Sequence, residues 1–374
     1  MKVAVFCAYF YPHEGGMEKY VQKLFSGLKN IDVTIITCNT EHNKFHEKKI
    51  GLNIYRLDCW NMVAGNYPVL KPSGIKQLLQ LFSKSLRDTD WVITNTRFFN
   101  ISFFGTLIAH KYAFKHMHIE HGTTHSKQGN IFVRLVNVVY DHTFGRYVIK
   151  NATIVAGVSE AANEFSNHIY RRETSLIRNC IDTKNLKKIS VTQQARCRKT
   201  LDIKKEKIIT FVGRAIKAKG IQDLLESTKN ISNVKVLIIG DGNYLKELKN
   251  RYTDAKYKFL GQKNISEIRA YLSITDIFVN PSYAEGLPTS VLEAGAVGVA
   301  CIATDVGGTR EIIEDGINGY LIETKNIRQL KDKLIKLLDD DKLRKKYAEK
   351  LQLKVRKEFT WEKSKGKVQT LLNS

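Results

Sequence analysis

Six cysteines are all that this 374-residue sequence carries, and none stands in a C-x-x-C pair. Their scatter over Cys7, Cys38, Cys59, Cys180, Cys197 and Cys301 argues against a zinc site and a disulfide framework, and fits a reducing cytosol. No apolar run reaches the roughly 18 residues a membrane-spanning helix needs, so any membrane contact is expected to be peripheral. The opening run Lys2–Cys7 soon meets Tyr11-Pro12-His13-Glu14-Gly15-Gly16 and reads as a buried first strand rather than a signal peptide. There is no internal repeat and no low-complexity tract. Zinc-finger spacing, an RNA-recognition signature and a concentrated basic stripe are also missing, so no nucleic-acid partner is expected.

Acidic residues are few against basic ones: Asp+Glu 37 and Lys+Arg 60 leave a formal charge of +23. The excess is spread over both halves of the chain and predicts attraction to an anionic molecule or surface, such as a phosphorylated compound or an anionic lipid. A hydrophobic fraction of 43% with 26% charged residues is ordinary globular composition, which excludes a disordered or collagen-like chain. The length suits two or three domains with full hydrophobic cores.

Runs rich in β-branched residues, Lys2–Cys7, Val33–Thr37, Trp91–Thr94, His116–Glu120, Ile154–Gly157 and Ser175–Arg178, alternate with longer amphipathic segments. This rhythm predicts β/α units around a parallel sheet. It restarts after a polar, basic stretch from Thr183 to Lys207, with runs at Ile208–Val212, Val234–Ile239, Ile277–Asn280 and Ala300–Ala303. The fold class is therefore α/β, with two Rossmann-like doubly wound domains facing across a cleft. Ligands of such sheets sit beyond the carboxyl ends of the strands, which is where motifs should be sought. A final helix is expected after Thr360, a residue able to cap it.

The most informative stretch runs from Asp276 to Glu293, a strand leading through a Pro/Gly turn into a helix that Pro288 can start. The amides of Gly286, Leu287 and Thr289 would face the cleft, and a helix amino terminus favours phosphate. Glu285 and Glu293 could accept hydrogen bonds from sugar hydroxyls at two separated places. Upstream, Gly213-Arg214 and Lys219-Gly220 follow another strand; glycine lets backbone approach a ligand, and two cations could face a diphosphate leaving group. In the first half, Gly15-Gly16 forms a glycine turn before a helix, and His121 ends a strand at the cleft. His116, His118, His121 and His125 crowd together, but no cysteine or paired carboxylate completes a metal set. Asp88-Thr89-Asp90 matches a metal-binding D-x-D pattern only superficially and reads as a surface turn.

On these residues the sequence resembles a family 4 glycosyltransferase of the GT-B fold, over nearly its whole length. Gly213-Arg214 with Lys219-Gly220 is similar to that family's phosphate-clamping element, and Glu285-Gly-Leu-Pro-Thr-Ser-Val-Leu-Glu293 to its E-x7-E motif. Further matches are Gly240-Asp241-Gly242, Val306-Gly307-Gly308 with Glu311, and Asn318-Gly319, together with Ser159-Glu160 and Asn179–Asp182 in the first half. Cys180 stands where the family usually has glycine.

The resemblance implies retaining, metal-independent sugar transfer with no cofactor beyond the nucleotide-sugar donor, for which a UDP-sugar is expected. Residues 1–184, joined by a terminal helix 359–374, would bind the acceptor, and residues 200–358 the donor. Arg214 and Lys219 would bind the donor phosphate, Glu293 the ribose, and Glu285 with the amides of Gly286 and Leu287 the sugar, with Pro288 and Thr289 also in the substrate-binding set. Gly16 would approach the diphosphate, Gly15 beside it would belong to the substrate-binding set, and His121 would contact the sugar near its reacting carbon. The expected acceptor is a hydroxyl of a glycan or lipid-linked saccharide of the bacterial envelope. Mixed aromatic, aliphatic and basic segments at 60–70, 97–115 and 131–150 would suit an anionic membrane surface on the cytoplasmic side. A GT-B epimerase or hydrolase acting on the nucleotide sugar is the alternative enzyme class.

Overall fold

The computed structural model describes the chain except Glu14, 63–66, 125–130 and 184–188, and describes the backbone alone for 131–134. It divides into two compact units, Met1–Asn179 with Trp361–Ser374, and Cys180–Thr360. The division falls after Asn179 rather than near 184 because Ile181 is buried in the second unit's core with Val212 and Val291. The Ile181 amide also donates to the Phe359 carbonyl at 3.2 Å. Within the polar stretch before Lys207, helix Val191–Thr200 packs Cys197 against Leu201, Ile203 and Ile208.

The first unit holds strands β1 (Lys2–Cys7), β2 (Asp32–Cys38), β3 (His46–Lys49), β4 (Leu52–Leu57), β5 (Cys59–Asn61), β6 (Tyr67–Leu70), β7 (Trp91–Asn95), β8 (Lys115–Glu120), β9 (Ile154–Gly157) and β10 (Ser175–Leu176). Eight form one sheet in the order β10-β9-β8-β7-β1-β2-β4-β3, with β5 and β6 paired separately. All neighbours in the eight-stranded sheet are parallel except β3, which runs antiparallel to β4. The central strands read as unbroken apolar runs because helices cover both faces, so Val3 to Cys7 are all buried. The last helix, Trp361–Leu372, belongs to this unit: Val368 and Leu372 join the core of Tyr20 and Val21, and Trp91 Nε1 donates to the Leu372 carbonyl at 3.0 Å.

The second unit holds β11 (Lys207–Val212), β12 (Val234–Ile239), β13 (Tyr257–Gly261), β14 (Ile277–Asn280), β15 (Ala300–Thr304) and β16 (Tyr320–Ile322). They form one sheet ordered β13-β12-β11-β14-β15-β16, parallel throughout. Side chains alternate across it. Ile277 and Val279 pack with Leu224, Leu330 and Leu334 on one face; Phe278 packs with Val291, Leu292, Leu351 and Val355 on the other. The strand order reverses between β11 and β14, so the loops leaving their carboxyl ends diverge and open a crevice there. Among the described residues no helix is long and apolar enough to cross a membrane.

Candidate functional site

At that reversal point the loops after β11 and β14 meet. Lys219, in a short turn after β11, places Nζ 2.6 Å from Glu285 Oε1 in the loop after β14. Both side chains are largely but not fully withdrawn from water, which strengthens their attraction while leaving them reachable. Asn280, buried at the end of β14, lies with Nδ2 3.4 Å from the same Glu285 oxygen and accepts the Ser282 hydroxyl on Oδ1 at 2.9 Å. Arg214 is exposed one residue beyond Gly213 and pairs with no carboxylate among the described residues. The Tyr283 amide ties the two loops by donating to the Ala218 carbonyl at 2.9 Å, and its hydroxyl donates to Asp223 at 2.9 Å.

The helix predicted after Glu285 spans Thr289–Val297, so Pro288 is the residue before its first turn rather than its first residue. The N–H groups of Gly286 and Leu287 find no acceptor among the described residues, and the amides of Thr289 and Ser290 open the helix, where no carbonyl precedes them. Leu287 itself is buried against Val291 and Ile312, which anchors the turn. Glu293, half-buried, lies four residues into the helix from Thr289.

Two of the glycine motifs have a mechanical reason. Gly307 has φ +53°, and a Cβ there would stand 1.9 Å from the Glu285 carbonyl oxygen. The next amide, Gly308, donates to the Gly286 carbonyl at 2.7 Å. The loop after β15 thus lies directly on the Glu285–Gly286 backbone and admits no side chain. Gly240, with φ +135°, does the same for the loop after β11, where a Cβ would lie 1.8 Å from the Gly213 carbonyl oxygen. The Gly213 amide is occupied by the Ile239 carbonyl at 3.0 Å, so Gly213 shapes the loop rather than donating to a ligand. Asn318 is structural: its side chain accepts the Glu314 amide at 2.8 Å and donates to the Ile312 carbonyl at 3.1 Å.

In the first unit His121 follows β8. Its Nε2 is 3.3 Å from Asn95 Oδ1 at the end of β7, and its ring meets Tyr20 edge-on at 4.9 Å. Asn95 Nδ2 donates to the Phe6 carbonyl at 3.1 Å, which turns Oδ1 toward His121 and makes Nε2 the protonated nitrogen. Burial lowers the imidazole pKa to about 4 against the raising influence of Glu120, so the ring is neutral near pH 7 and Nδ1 is an acceptor.

Sequence reasoning gave no role to the group that holds this loop. Glu120 Oε1 accepts the amides of His121 and Gly122 at 2.9 and 2.6 Å and lies 3.0 Å from Arg97 Nη1. Arg97 also makes a two-pronged contact with Asp141, at 3.0 and 3.1 Å. All three are buried. Burial alone would push the Glu120 pKa up; Arg97, His118 and the Gly122 amide together hold it well below the usual carboxylate range. The Thr94 hydroxyl bridges His116 Nε2 and His118 Nδ1, both at 2.9 Å, and His118 Nε2 faces Glu120 at 3.3 Å. This hydrogen-bonded chain accounts for two members of the histidine cluster; His125 lies outside the described residues. No metal-holding group of His, Cys, Asp or Glu occurs among the described residues.

Gly15 caps helix Gly16–Phe25, and a Cβ on Gly16 would meet nothing within 4 Å, so that turn is open above it; Glu14 lies outside the described residues. Asp88-Thr89-Asp90 is a turn whose carboxylates serve the first strand: Asp90 accepts the Lys2 amide at 2.7 Å and Asp88 pairs with Lys2 Nζ at 3.3 Å. Of the mixed segments, 97–115 buries Arg97, Ile101, Gly105, Ile108 and Ala109, whereas Trp60, Met62, Leu135, Val136 and Val139 are exposed. Arg134 lies where only the backbone is described.

Residues 193–372 match the family described as Glycosyl transferases group 1. The chain is 28% identical to a Methanocaldococcus jannaschii protein named as an uncharacterized glycosyltransferase, over 97% of this chain and 96% of that one. It is 30% identical, over 60% of this chain and 61% of the relative, to the N-acetyl-alpha-D-glucosaminyl L-malate synthase of Bacillus anthracis. The fold matches that of the Anabaena protein HepE in complex with UDP, at TM-score 0.80 and 18% identity over the whole of both chains. It also matches the sucrose-phosphate synthase of Thermosynechococcus elongatus, at TM-score 0.81 and 19% identity over 100% of this chain and 98% of the other. A profile match over most of the second unit and a likeness along nearly the full sequence make this chain similar to the group 1 glycosyltransferases, and the shared two-sheet architecture shows the GT-B fold.

Proposed function

We propose that the enzyme moves a hexose or N-acetylhexosamine, with retention of configuration, from a UDP-sugar to a hydroxyl of a glycan or lipid-linked saccharide in envelope polysaccharide synthesis. The observation that carries this reading is the Lys219–Glu285 pair beside the open amides of Gly286 and Leu287, at the reversal point of the second sheet. A cation, a carboxylate and backbone donors are what a diphosphate, a sugar hydroxyl and phosphate oxygens require. Arg214 and Lys219 take the charge that grows on the diphosphate as the glycosyl–phosphate bond breaks; each well-placed donor contributes roughly 3–4 kcal/mol to such a step. With these two cations on the leaving group, no metal ion is needed. Glu293 holds the ribose. In the first unit Gly16 leaves its turn open for a phosphate oxygen, while Gly15 is backed by the Glu18 carboxylate, and neutral His121 accepts a hydrogen bond from a sugar hydroxyl on Nδ1.

The acceptor oxygen attacks the anomeric carbon on the face from which the phosphate leaves, and a phosphate oxygen takes the acceptor's proton, so one C–O bond forms as another breaks. Among curated relatives, a Campylobacter jejuni N-acetylgalactosaminyltransferase and an Escherichia coli galactosyltransferase are named for undecaprenol diphosphate-linked acceptors. They support a lipid-linked acceptor here and a peripheral place on the cytoplasmic face of the membrane. A panel of nucleotide sugars scored by thermal shift tests the donor: saturation at 100 times Kd stabilises by about 2.7 kcal/mol. Release of UDP that depends on added acceptor supports transfer; equal release without acceptor would instead indicate the hydrolase or epimerase.

A further inference from the structure

Two of the six thiols lie together in the first unit. Cys38 ends β2 and Cys59 opens β5, and both are free. Cys38 pairs with Leu57 across β2 and β4, and the Asn39 amide donates to the Leu57 carbonyl at 2.8 Å. Side chains alternate along an extended chain, so Cys59, two residues beyond Leu57, returns to the face that Cys38 and Leu57 share. The packing agrees: Cys38, Leu57 and Leu70 are buried in one cluster, with Cys59 packed against it. There the two thiols come within hydrogen-bonding reach, Cys38 donating to the Cys59 sulfur.

Their surroundings make the two unequal. Cys38 is buried, and its hydrogen bond to Cys59, then burial, push its pKa up, so it keeps its proton. Cys59 is half-buried; the hydrogen bond from Cys38 lowers its pKa against the effect of burial, and the Lys71 charge adds to the lowering. Burial raises the thiols of Cys7, Cys197 and Cys301 instead. β5 is bonded to β6 and not to the eight-stranded sheet, so it is free to make the small movement that a sulfur–sulfur bond requires. A reachable thiol that favours its thiolate, beside a buried second thiol, is the arrangement of a reversible oxidation site.

We propose that Cys59 is oxidised reversibly by a hydroperoxide and that Cys38 then closes a disulfide with it. The Cys59 thiolate attacks the peroxide: a sulfur–oxygen bond forms as the oxygen–oxygen bond breaks, and the departing oxygen takes a proton to leave as water or an alcohol. The Cys38 sulfur next attacks the Cys59 sulfur, and the sulfur–oxygen bond breaks as the disulfide forms. The displaced hydroxide takes the Cys38 proton and leaves as water. Two thiols are thereby oxidised by two electrons, which reduce the peroxide, and an added dithiol reverses the change. The bond ties the β5–β6 ribbon to the carboxyl end of β2, the end of the first sheet at which His121 follows β8. The proposal is independent of the donor loops and of the sugar moved.

Hydrogen peroxide added to the full chain, followed by peptide mapping without reductant, tests it. A Cys38–Cys59 link formed within one molecule and removed by dithiothreitol is expected, and this measurement needs no variant. In Cys38→Ser, which keeps a hydrogen-bond donor and removes the second thiol, the same treatment should leave a sulfenic acid on Cys59 that dimedone captures; the wild type should yield little of that adduct. Circular dichroism shows whether the variant is folded. Before any oxidant is added, Cys59 should react with iodoacetamide about tenfold faster than the comparably exposed Cys197. A wild-type map without the Cys38–Cys59 link, a link between two molecules in its place, or equal dimedone capture in wild type and a folded Cys38→Ser overturns the proposal. So does faster alkylation of Cys197 than of Cys59.

Discussion

Replacing Arg97 by Met keeps an apolar stem and removes the guanidinium that lies over Phe165 and carries the charge shared by Glu120 and Asp141. Removing one partner of a buried ion pair costs about 3–5 kcal/mol, because the remaining charge keeps its desolvation penalty. The pH dependence carries the sharper test. In the wild type the Glu120 pKa is depressed by folding, so its contribution is present above the ordinary carboxylate pKa, about 4.3, and is lost as the pH falls toward its folded value. Without Arg97 burial prevails and the folded pKa lies above the unfolded one. The loss in Arg97→Met is then largest at pH 8 and shrinks by up to about 1.4 kcal/mol per pH unit once the pH falls below that raised value. Urea unfolding followed by tryptophan fluorescence reads this unit alone, since Trp60, Trp91 and Trp361 all belong to it. A loss below about 1 kcal/mol, or one constant between pH 8 and 5, would refute the reasoning.

Three further outcomes follow from the same structure. Because burial lowers His121 to about 4 and His116 to about 3, each binds its proton in the unfolded chain first; near pH 5 the wild-type first unit should lose roughly 2–3 kcal/mol per pH unit of acidification, and a flat urea midpoint between pH 6 and 5 would contradict this. Gly307→Ala forces a Cβ against the Glu285 carbonyl at positive φ, so transfer should fall at least tenfold while circular dichroism stays native; wild-type turnover would show that the loop after β15 does not hold the site. Transfer assayed with excess EDTA should proceed at the untreated rate, and loss restored by a divalent cation would assign the leaving-group charge to a metal instead.

The strands legible in the sequence were those with both faces covered: β1, β9, β12 and β14 are apolar but for Lys2, Lys235 and Asn280, and their sequence-read bounds coincide with the observed ones. Most that escaped are edge or short strands; the six-residue β4, paired on both sides, escaped because Asn53 and Arg56 interrupt its apolar pattern. β3 reads His-Glu-Lys-Lys and is almost wholly exposed, so it has no apolar signal, while β13 and β16 lie at the two edges of their sheet. The Lys219 and Glu285 loops could be found because glycine, proline and charge cluster at strand ends, although no spacing rule could join residues 66 apart in sequence. Arg97, Glu120 and Asp141 escaped for the opposite reason. Their pairing depends on β7, β8 and a helical turn converging, and a buried charge is indistinguishable from a surface one until those neighbours are known.

The central claim is that the loops after β11 and β14 grip a nucleotide diphosphate. Calorimetric titration of the tightest-binding nucleotide sugar into the wild type and into Arg214→Ala combined with Lys219→Ala measures it most directly. Two charge-assisted phosphate contacts at roughly 1.5–3 kcal/mol each predict a loss of at least a hundredfold in affinity with the fold retained. Equal affinity for both proteins would contradict the claim.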